Sequence, residues 1–346
     1  MSMFSHDERA FNVVLGRLRR TQPRSCVSAS ETAAYLYITS CLMCPRALQM
    51  EELLDQSGST DTSMRATVYA VLRRLAHSPS LVPSTHLRVG RCLQASEDTR
   101  CDVIHESTQR MVRKRIDHGQ DGLPAYQAVV EFVVHYLLAD SGATHVAPLL
   151  YAEVGTQHVS LYYEYVPHPL HTFFGYGTEP RGRTVVCGLL RGVQQLHARG
   201  ICHRDLKGPN IHVRDDDTCL LLDVGSAGYG TTRTTVPVTT ITHRSPEILL
   251  AEISDQTNPY DGFKLDIWSL GVLLAELYLG PHPFGHVPGW ASAQDMLHQI
   301  RQQLPSVLAR MCTRCTPSQL SVMQSCLDER PQHRPDIHVL VRAFAT

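Results

Sequence analysis

The stretch from His203 to Asn210, which reads HRDLKGPN, constrains this chain more than any other part of its sequence. It places an acid (Asp205), a lysine (Lys207) and an amide (Asn210) within six positions. A short apolar strand is expected directly after it, and a second acid, Asp223, follows another apolar run. Gly225 lets the backbone turn at that point. Such a concentration of polar groups around short strands indicates a functional loop rather than a chance surface turn.

These eight residues resemble the catalytic loop of serine/threonine protein kinases, and Asp223-Val224-Gly225 resembles their metal-binding motif, with valine replacing the usual central phenylalanine. The resemblance implies that Asp205 orients the substrate hydroxyl and accepts its proton. It also implies that Lys207 lies near the transferred phosphate. Asn210 and Asp223 are the implied ligands of two Mg²⁺ ions, which prefer hard oxygen ligands. The implied cofactors are therefore ATP and Mg²⁺.

A second part of the implied site lies upstream, in an apolar, helix-length segment that carries one acid, Glu131. A buried carboxylate without a partner is costly, so Glu131 should find a cation. Lys114, seventeen residues earlier, resembles the third-strand lysine of kinases, and a Lys114–Glu131 pair would hold it against the nucleotide phosphates. The alternative is that Arg113 or Arg115 pairs with Glu131. His135 departs from the apolar residue usual on this helix.

The segment that should cover the phosphates departs most from the family pattern. Of the usual G-x-G-x-x-G loop only Gly90 is present, and the turn contains Glu97 and Asp98, whose charges would repel phosphate. Arg100 is expected to offset part of this repulsion. The departure leaves open an alternative function, a pseudokinase scaffold with weak or no phosphotransfer. Retention of the acidic and amide ligands favours an active enzyme.

Residues 161–167 (LYYEYVP) resemble the strand that leads into the kinase hinge. The resemblance implies that the adenine of ATP binds backbone groups around Glu164 and Val166. It makes Tyr163 a bulky gatekeeper that narrows the space behind the adenine. Farther along, Thr240 matches the threonine that bonds the catalytic acid and lysine, and Asp266 matches the acid that anchors the catalytic-loop backbone.

Two further matches concern stability and activation. Glu247 resembles an acid that kinases bury against an arginine, here Arg334, and Arg244-x-Pro-Glu resembles the cyclin-dependent and MAP kinases, in which this arginine supports a preference for proline after the phosphoacceptor. Thr235 aligns with the phosphothreonine of the cyclin-dependent group, and Arg204 would pair with that phosphate. Alternatively, the threonines here form a solvated polar loop. The cyclin-binding signature is absent, although activation by another partner remains open.

The predicted fold is α+β: a bilobal kinase fold with a small antiparallel β lobe carrying one key helix and a larger, mainly helical lobe. The predicted division is 1–84 (helical extension and linker), 85–166 (small lobe) and 167–346 (large lobe). The extension faintly resembles a helix-turn-helix, but helices packed on the small lobe are favoured over nucleic-acid binding. Protein substrates are the expected partners. The compact, divergent small lobe also resembles kinases of large DNA viruses such as herpesviruses.

Composition also indicates where the protein is expected to act. A net charge of −1 gives no bias toward polyanions, and there is neither an apolar run of membrane length nor a signal-peptide pattern. Eleven cysteines without secretory context indicate reduced thiols, which predicts an intracellular protein of the cytoplasm or nucleus. The C-x-x-C pairs Cys41/Cys44 and Cys312/Cys315 lie far apart in the sequence. They are interpreted as buried structural cysteines rather than as zinc ligands.

Overall fold

The computed structural model of the chain describes residues 88–95, 99–106, 109–117, 131, 134, 135, 138, 142–154, 158–229, 231–232, 240–255, 260–288 and 291–344. The predictions for residues 1–84, for Glu97 and Asp98, and for Thr235 lie outside the described residues. The described residues form two compact units. Those within 1–141 and 148–165 make up the β-rich unit, and those within 142–147 and 166–346 make up the helical unit.

The β-rich unit is built on one antiparallel sheet of five strands in the order β1-β2-β3-β5-β4. The strands are β1 (Arg88–Ala95), β2 (Thr99–Glu106), β3 (Gln109–Asp117), β4 (Leu149–Val154) and β5 (His158–Glu164). Alternation along β3 buries Met111 on one face, with Ile104 and Tyr162, and directs Val112 and Lys114 to the other face. The residues Glu131, Val134, His135 and Leu138 are helical and buried, as the apolar pattern of their segment predicts.

Gly90 lies within β1, where the pairing with β2 is irregular. Between the pairs Val89–Ile104 and Cys92–Asp102 the first strand holds one more residue than the second, which is a β-bulge. A Cβ atom on Gly90 would come within 3.0 Å of the His105 ring and 3.1 Å of the Val103 carbonyl oxygen. The close approach of β2 therefore explains why residue 90 is a glycine.

The helical unit contains seven short strands and six helices among its described residues. The strands are β6 (His168–Pro169), β7 (Ile201–Cys202), β8 (Ile211–Val213), β9 (Cys219–Leu221), β10 (Gly228–Tyr229), β11 (Thr231–Thr232) and β12 (Tyr260–Asp261). The helices are α1 (Pro180–His197), α2 (Pro246–Ser254), α3 (Gly262–Leu279), α4 (Ala293–Cys312), α5 (Pro317–Cys326) and α6 (Ile337–Phe344). Strands pair as β6-β8-β9, β7-β10 and β11-β12. A five-stranded antiparallel sheet in one unit and a mainly helical second unit confirm the α+β class.

Two helices of this unit, α1 and α3, begin or end at residues whose role the sequence explains. The apolar pattern predicts a helix from Thr184 to Arg199, and α1 begins earlier because Pro180 fits the first helical turn, where its missing N–H is not needed. The helix ends before Gly200, whose φ of +75° turns the chain toward β7. Helix α3 is buried on nearly all sides, and the Asp261 carboxylate caps its start by accepting from the amides of Phe263 and Lys264.

The cysteine prediction is corrected at the end of α4. Cys312 is the last residue of that helix and is exposed, and Cys315 is only partly buried, so the pair is not buried in the core. The helix end faces solvent, which helical spacing alone does not reveal. Within the described residues no three histidine, cysteine or acidic side chains are grouped to hold a metal ion. None of the described helices is long and apolar enough to cross a membrane.

Candidate active site

Asp205 is the centre of a hydrogen-bond cluster in the helical unit. Its carboxylate receives the Lys207 ammonium at 2.8 Å and the Asn210 side-chain amide at 3.1 Å. The backbone N–H and the hydroxyl of Thr240 both donate to its other oxygen at 3.2 Å, and Lys207 also reaches the Thr240 hydroxyl at 2.9 Å. The expected contacts of Thr240 with the acid and the lysine are therefore present. This cluster fixes the direction in which the Asp205 carboxylate points.

Asp266 anchors the backbone of the loop that carries Asp205, as the resemblance implies. Its fully buried carboxylate accepts from the backbone amides of His203 at 2.7 Å and Arg204 at 2.8 Å, and from the His197 ring at 2.9 Å. Arg204 has a φ of +68°, which is unfavourable for a residue with a long side chain. The two charge-assisted bonds to consecutive amides hold the backbone in this conformation, which turns the chain into Asp205.

His203 joins the catalytic loop to the segment that carries Asp223, a role that the sequence analysis missed. Its Nε2 lies 3.0 Å from the Leu222 carbonyl oxygen, and its Nδ1 accepts from the Asp205 amide at 3.3 Å. A carbonyl oxygen can only accept, so Nε2 carries the proton and the imidazole is neutral. The sequence shows a histidine two residues before Asp205, but the hydrogen-bond partners of this histidine depend on the tertiary fold.

Asn210 and Asp223 lie on neighbouring chain segments, because the amide of Leu222 donates to the Asn210 carbonyl oxygen at 2.8 Å. The Asn210 side-chain NH₂ group donates to the carbonyl oxygen and carboxylate of Asp205, so its side-chain oxygen remains to act as a ligand. Asp223 has φ 55° and ψ 63°, a left-handed conformation that is uncommon for aspartate and marks a constrained turn. An amide oxygen and a carboxylate fit Mg²⁺, which takes few protein ligands and completes its shell with phosphate and water.

In the β-rich unit the expected Lys114–Glu131 ion pair is present. The Lys114 ammonium lies 2.7 Å from one oxygen of the fully buried Glu131 carboxylate. The alternative partners are engaged elsewhere: Arg113 bonds the buried Asp102 at 2.9 Å, and Arg115 bonds Asp117 at 2.8 Å. Strand alternation separates Lys114 from its two neighbours, which explains why the lysine alone faces Glu131.

Arg100 is also committed to Asp102, at 2.9 Å, in the same network as Arg113. Its expected role was to offset the charge of the acidic turn that follows β1. The guanidinium instead stabilises a carboxylate on β2, so the contribution expected of Arg100 is not supported. Burial tends to raise the pKa of Asp102, but the hydrogen bonds from Arg113 and Arg100 outweigh it and hold the pKa below its usual range.

The other oxygen of Glu131 accepts a hydrogen bond from the Tyr163 hydroxyl at 2.7 Å. The resemblance implies only a steric role for Tyr163 and gives no sign of this polar contact. The His135 ring packs against the Tyr163 ring with their centroids 5.2 Å apart. His135, which departs from the apolar residue expected at its position, is thus part of the packing around Tyr163.

The two residues expected to bind adenine lie at the end of β5 and just beyond it. Glu164 is the last residue of β5, and Val166 is buried against Ala147 and Leu220. The Val166 carbonyl oxygen accepts from Nδ1 of His212 at 2.8 Å. Burial lowers the pKa of His212, which fits a neutral ring with its proton on Nδ1. His212 was not singled out from sequence, although its position between the apolar residues Ile211 and Val213 is visible there.

Two arginines of the activation region, Arg204 and Arg244, form contacts that the sequence did not predict. Arg204 is buried, and its Nε donates to the Tyr260 hydroxyl at 3.1 Å. The partner proposed from sequence, a phosphate on Thr235, lies outside the described residues. Arg244 forms an ion pair with Glu252 of helix α2. The structure thus gives both arginines protein partners.

Glu247 and Arg334 form the expected ion pair, in which Arg334 is buried and Glu247 is partly exposed. The Arg334 guanidinium donates two hydrogen bonds to the carboxylate, at 2.7 and 2.6 Å, in a bidentate arrangement. It also donates to three backbone carbonyl oxygens, those of Lys264, Asp328 and Glu329, and lies over the Trp268 ring. This pair ties the start of α2 to the segment before α6.

Comparison with known proteins gives matches to protein kinases. A segment of 155 residues is 34% identical to the PAS domain-containing serine/threonine-protein kinase of Mus musculus, covering 43% of this chain and 10% of that protein. Another of 181 residues is 31% identical to germinal center kinase 3 of Caenorhabditis elegans (49% and 29%). A third of 128 residues is 34% identical to mitogen-activated protein kinase 13 of Mus musculus (37% and 31%).

The chain thus spans about a tenth to a third of the length of these curated relatives. The match to the family as a whole is longer, since the sequence model of the protein kinase domain matches residues 100–343. That range contains the Lys114–Glu131 pair, the Asp205 cluster and the Glu247–Arg334 pair. The chain therefore belongs to the protein kinase family.

Proposed function

We propose that this protein is a serine/threonine kinase that transfers the γ-phosphate of ATP to hydroxyl groups of protein substrates, with Mg²⁺ as cofactor. The observation that carries the proposal is the cluster in which Lys207, Asn210 and Thr240 all bond the Asp205 carboxylate. A positioned carboxylate beside a lysine is what orientation of a substrate hydroxyl and neutralisation of phosphate charge require. The relatives named as serine/threonine-protein kinases support the same activity.

In the proposed mechanism Asp205 accepts a hydrogen bond from the substrate hydroxyl and directs its oxygen at the γ-phosphorus. It takes the hydroxyl proton as the new P–O bond forms and the bond from the γ-phosphorus to the oxygen of the ADP leaving group breaks. Lys207, 2.8 Å from Asp205, contributes positive charge where the phosphoryl oxygens pass. Lys114 binds the nucleotide phosphates, and its bond to Glu131 holds the ammonium in one direction. Backbone groups of Glu164 and Val166 orient the adenine.

Asn210 and Asp223 would hold Mg²⁺, which supplies neutralisation of phosphate charge when bound. Asn210 is prepared for this role because its NH₂ group is engaged by Asp205 and cannot compete for the metal. The alternative, a pseudokinase scaffold, has no need of such an arrangement. The relatives do not support the scaffold either.

We also propose a preference for proline after the phosphoacceptor. It rests on Arg244 in the motif Arg-x-Pro-Glu, and on its bond to Glu252, which holds the guanidinium beside the start of α2. Similarity to a mitogen-activated protein kinase and to a probable CTD kinase subunit alpha homolog is in line with the likeness seen in the motif. Paired peptides with proline or alanine after the acceptor serine test this preference, and equal rates for both would contradict it.

The remaining proposals concern regulation and place of action. Arg204 would bind a phosphate on Thr235 after exchanging its Tyr260 contact, and a partner protein would assist activation. The protein would act inside a cell, in the cytoplasm or nucleus. Its divergent β-rich unit supports a likeness to kinases of large DNA viruses. Mass spectrometry of the purified protein tests for phosphate on Thr235.

Phosphate transfer from labelled ATP with Mg²⁺, to the protein itself and to a generic basic protein, tests the main proposal. Asp205→Asn and Asp223→Asn should each abolish transfer, because one removes the proton acceptor and the other a metal ligand. Asp215→Asn is the matched control, since this aspartate is 88% exposed and bonds only a surface histidine among the contacts described. A folded wild type that transfers no phosphate would favour the scaffold.

A further inference from the structure

We propose that the Tyr163 hydroxyl is a positioning group for phosphate transfer, acting through Glu131 on the ammonium of Lys114. The inference rests on the proposed function, since it concerns the same lysine, but it assigns a second role to a residue whose bulk alone was considered. Tyr163 would not touch the reacting atoms. It would determine how firmly Glu131 directs the lysine that binds the phosphates.

The first support is the division of the Glu131 carboxylate between two donors. Lys114 bonds one oxygen and Tyr163 bonds the other, each at 2.7 Å. The carboxylate is fully buried, so water does not replace a donor that is lost. The Lys114 distance is at the short end of the range for ammonium donors to carboxylates, and the Tyr163 distance lies within the range for hydroxyl donors; such charge-assisted bonds are about twice as strong as neutral ones. With both oxygens engaged, the carboxylate has one favoured orientation. Its bond to Lys114 therefore has one favoured direction.

The second support is the strand pairing that places both donors on one face of the sheet. Tyr163 on β5 lies opposite Val112 on β3, and Leu161 lies opposite Lys114. Side chains at positions 112 and 114 share a face, so Tyr163 and Lys114 are diagonal neighbours across the strand pair. The direction in which the hydroxyl approaches Glu131 is therefore fixed by backbone hydrogen bonds of the sheet.

The third support is the packing of the Tyr163 ring. The ring is 5% exposed, and the His135 ring lies 5.2 Å from it at an interplanar angle of 53°. His135 is one helical turn after Glu131, so the helix that carries the acceptor also contacts the ring that carries the donor. The ring and the carboxylate are thereby held together by two contacts between the same two elements.

A purely steric gatekeeper and a positioning hydroxyl predict different results for Tyr163→Phe. Phenylalanine keeps the ring and its bulk, so a steric role is unaffected. The loss of the hydroxyl leaves one buried Glu131 oxygen without this donor, which allows the carboxylate to turn and weakens its hold on Lys114. We expect kcat/KM for ATP to fall about tenfold, as for a lost hydrogen bond to a charged group. KM for the protein substrate should stay within about twofold.

The experiment compares wild type, Tyr163→Phe, Glu131→Ala and the double variant by phosphate transfer. The matched control is Tyr162→Phe, which removes a hydroxyl from the adjacent buried tyrosine on the opposite face of β5, next to Ile104 and Met111. If the hydroxyl acts through Glu131, adding Tyr163→Phe to Glu131→Ala costs less than about twofold. Glu131→Leu, which also removes both acceptor oxygens, replaces the alanine variant if that variant does not fold.

Three results would overturn the inference: activity of Tyr163→Phe within twofold of wild type, an equal loss in Tyr162→Phe, or an undiminished loss in the Glu131→Ala background. Calorimetric binding of ATP with Mg²⁺ to the same variants separates this failure from failure of the proposed function. A wild type that binds ATP without transferring phosphate rejects the function, whereas weaker ATP binding in Tyr163→Phe would still support the positioning role. A wild type that binds no ATP rejects both.

Discussion

Glu131 in the β-rich unit and Asp266 in the helical unit are both fully buried carboxylates, yet they are held in different ways. Asp266 accepts from two consecutive backbone amides and from the His197 ring. Glu131 accepts from the ends of two side chains, those of Lys114 and Tyr163. Backbone donors tie a carboxylate to the course of the chain, whereas side-chain donors tie it to rotamers that can change. The loop that carries Asp205 is therefore fixed by its own backbone, whereas Lys114 is held by side-chain contacts.

The largest effect is expected for Asp266→Ala. It leaves two buried amides without their acceptor and releases the left-handed conformation of Arg204, so the free energy of unfolding should fall by about 4 kcal/mol. Urea unfolding measures this change. Asp261→Ala is the matched control, because Asp261 also accepts from two amides but caps a helix start, where the loss is about 1 kcal/mol. Equal losses of unfolding free energy in the two variants would show that burial of the carboxylate does not determine its contribution.

A somewhat smaller loss, about 3 kcal/mol, is expected for Glu247→Ala, which removes the anionic partner of the buried Arg334 and leaves it backbone carbonyl oxygens and the Trp268 ring among the contacts described. The control is Arg301→Ala. Its guanidinium forms an equally bidentate pair with Glu329, but both side chains are exposed, so the loss should stay below about 1 kcal/mol. Thermal unfolding of the two variants decides, and similar shifts in Tm would show that geometry rather than burial sets the energy.

Asp102→Asn tests a side-chain-held carboxylate of the β-rich unit through its pH dependence. Because the folded-state pKa of Asp102 lies below its ordinary value of about 4, its ion pairs stabilise the protein above that pH and lose their effect as the pH falls through the folded pKa. Asp102→Asn should cost about 2 kcal/mol at neutral pH, and the difference from wild type should shrink below about pH 4.

The control for this titration is Asp117→Asn. Asp117 pairs with Arg115, two residues earlier on β3, just as Asp102 pairs with Arg100 on β2, but both side chains of the control pair are substantially exposed. Its loss should stay below about 1 kcal/mol at every pH. Urea unfolding at several pH values follows both variants. A gap for Asp102→Asn that persists unchanged at low pH would show that the arginine bonds do not depend on the charge of Asp102.

The same contrast explains what the sequence could predict. The Lys114–Glu131 pair was predictable because an isolated buried charge is so costly that a partner must exist, and the Glu247–Arg334 pair because its residues resemble those of kinases. The α+β class likewise followed from the resemblance. The bonds of Tyr163, His203 and His212 were not predictable, because neither the resemblance nor an unpaired buried charge points to them. Their partners lie 19 to 46 residues away in sequence.

The smallest effect, and one of opposite sign, is expected for Ser245→Ala. Ser245 precedes α2 at the capping position, but its hydroxyl makes no capping bond, is fully buried and has no hydrogen-bond partner among the described residues. Removing an unsatisfied buried hydroxyl should stabilise the fold by about 1 kcal/mol. Ser292→Ala is the matched control, because Ser292 caps α4 in a complete capping box.

That control should lose about 1 kcal/mol, so the same substitution at two helix starts is expected to shift Tm in opposite directions. Differential scanning calorimetry resolves shifts of this size. A loss at both positions would mean that Ser245 finds a donor or acceptor, such as water, that compensates its burial. Opposite shifts would extend the contrast between Glu131 and Asp266 to neutral groups, because the partner of a buried polar atom, and not its position in a motif, would determine its contribution.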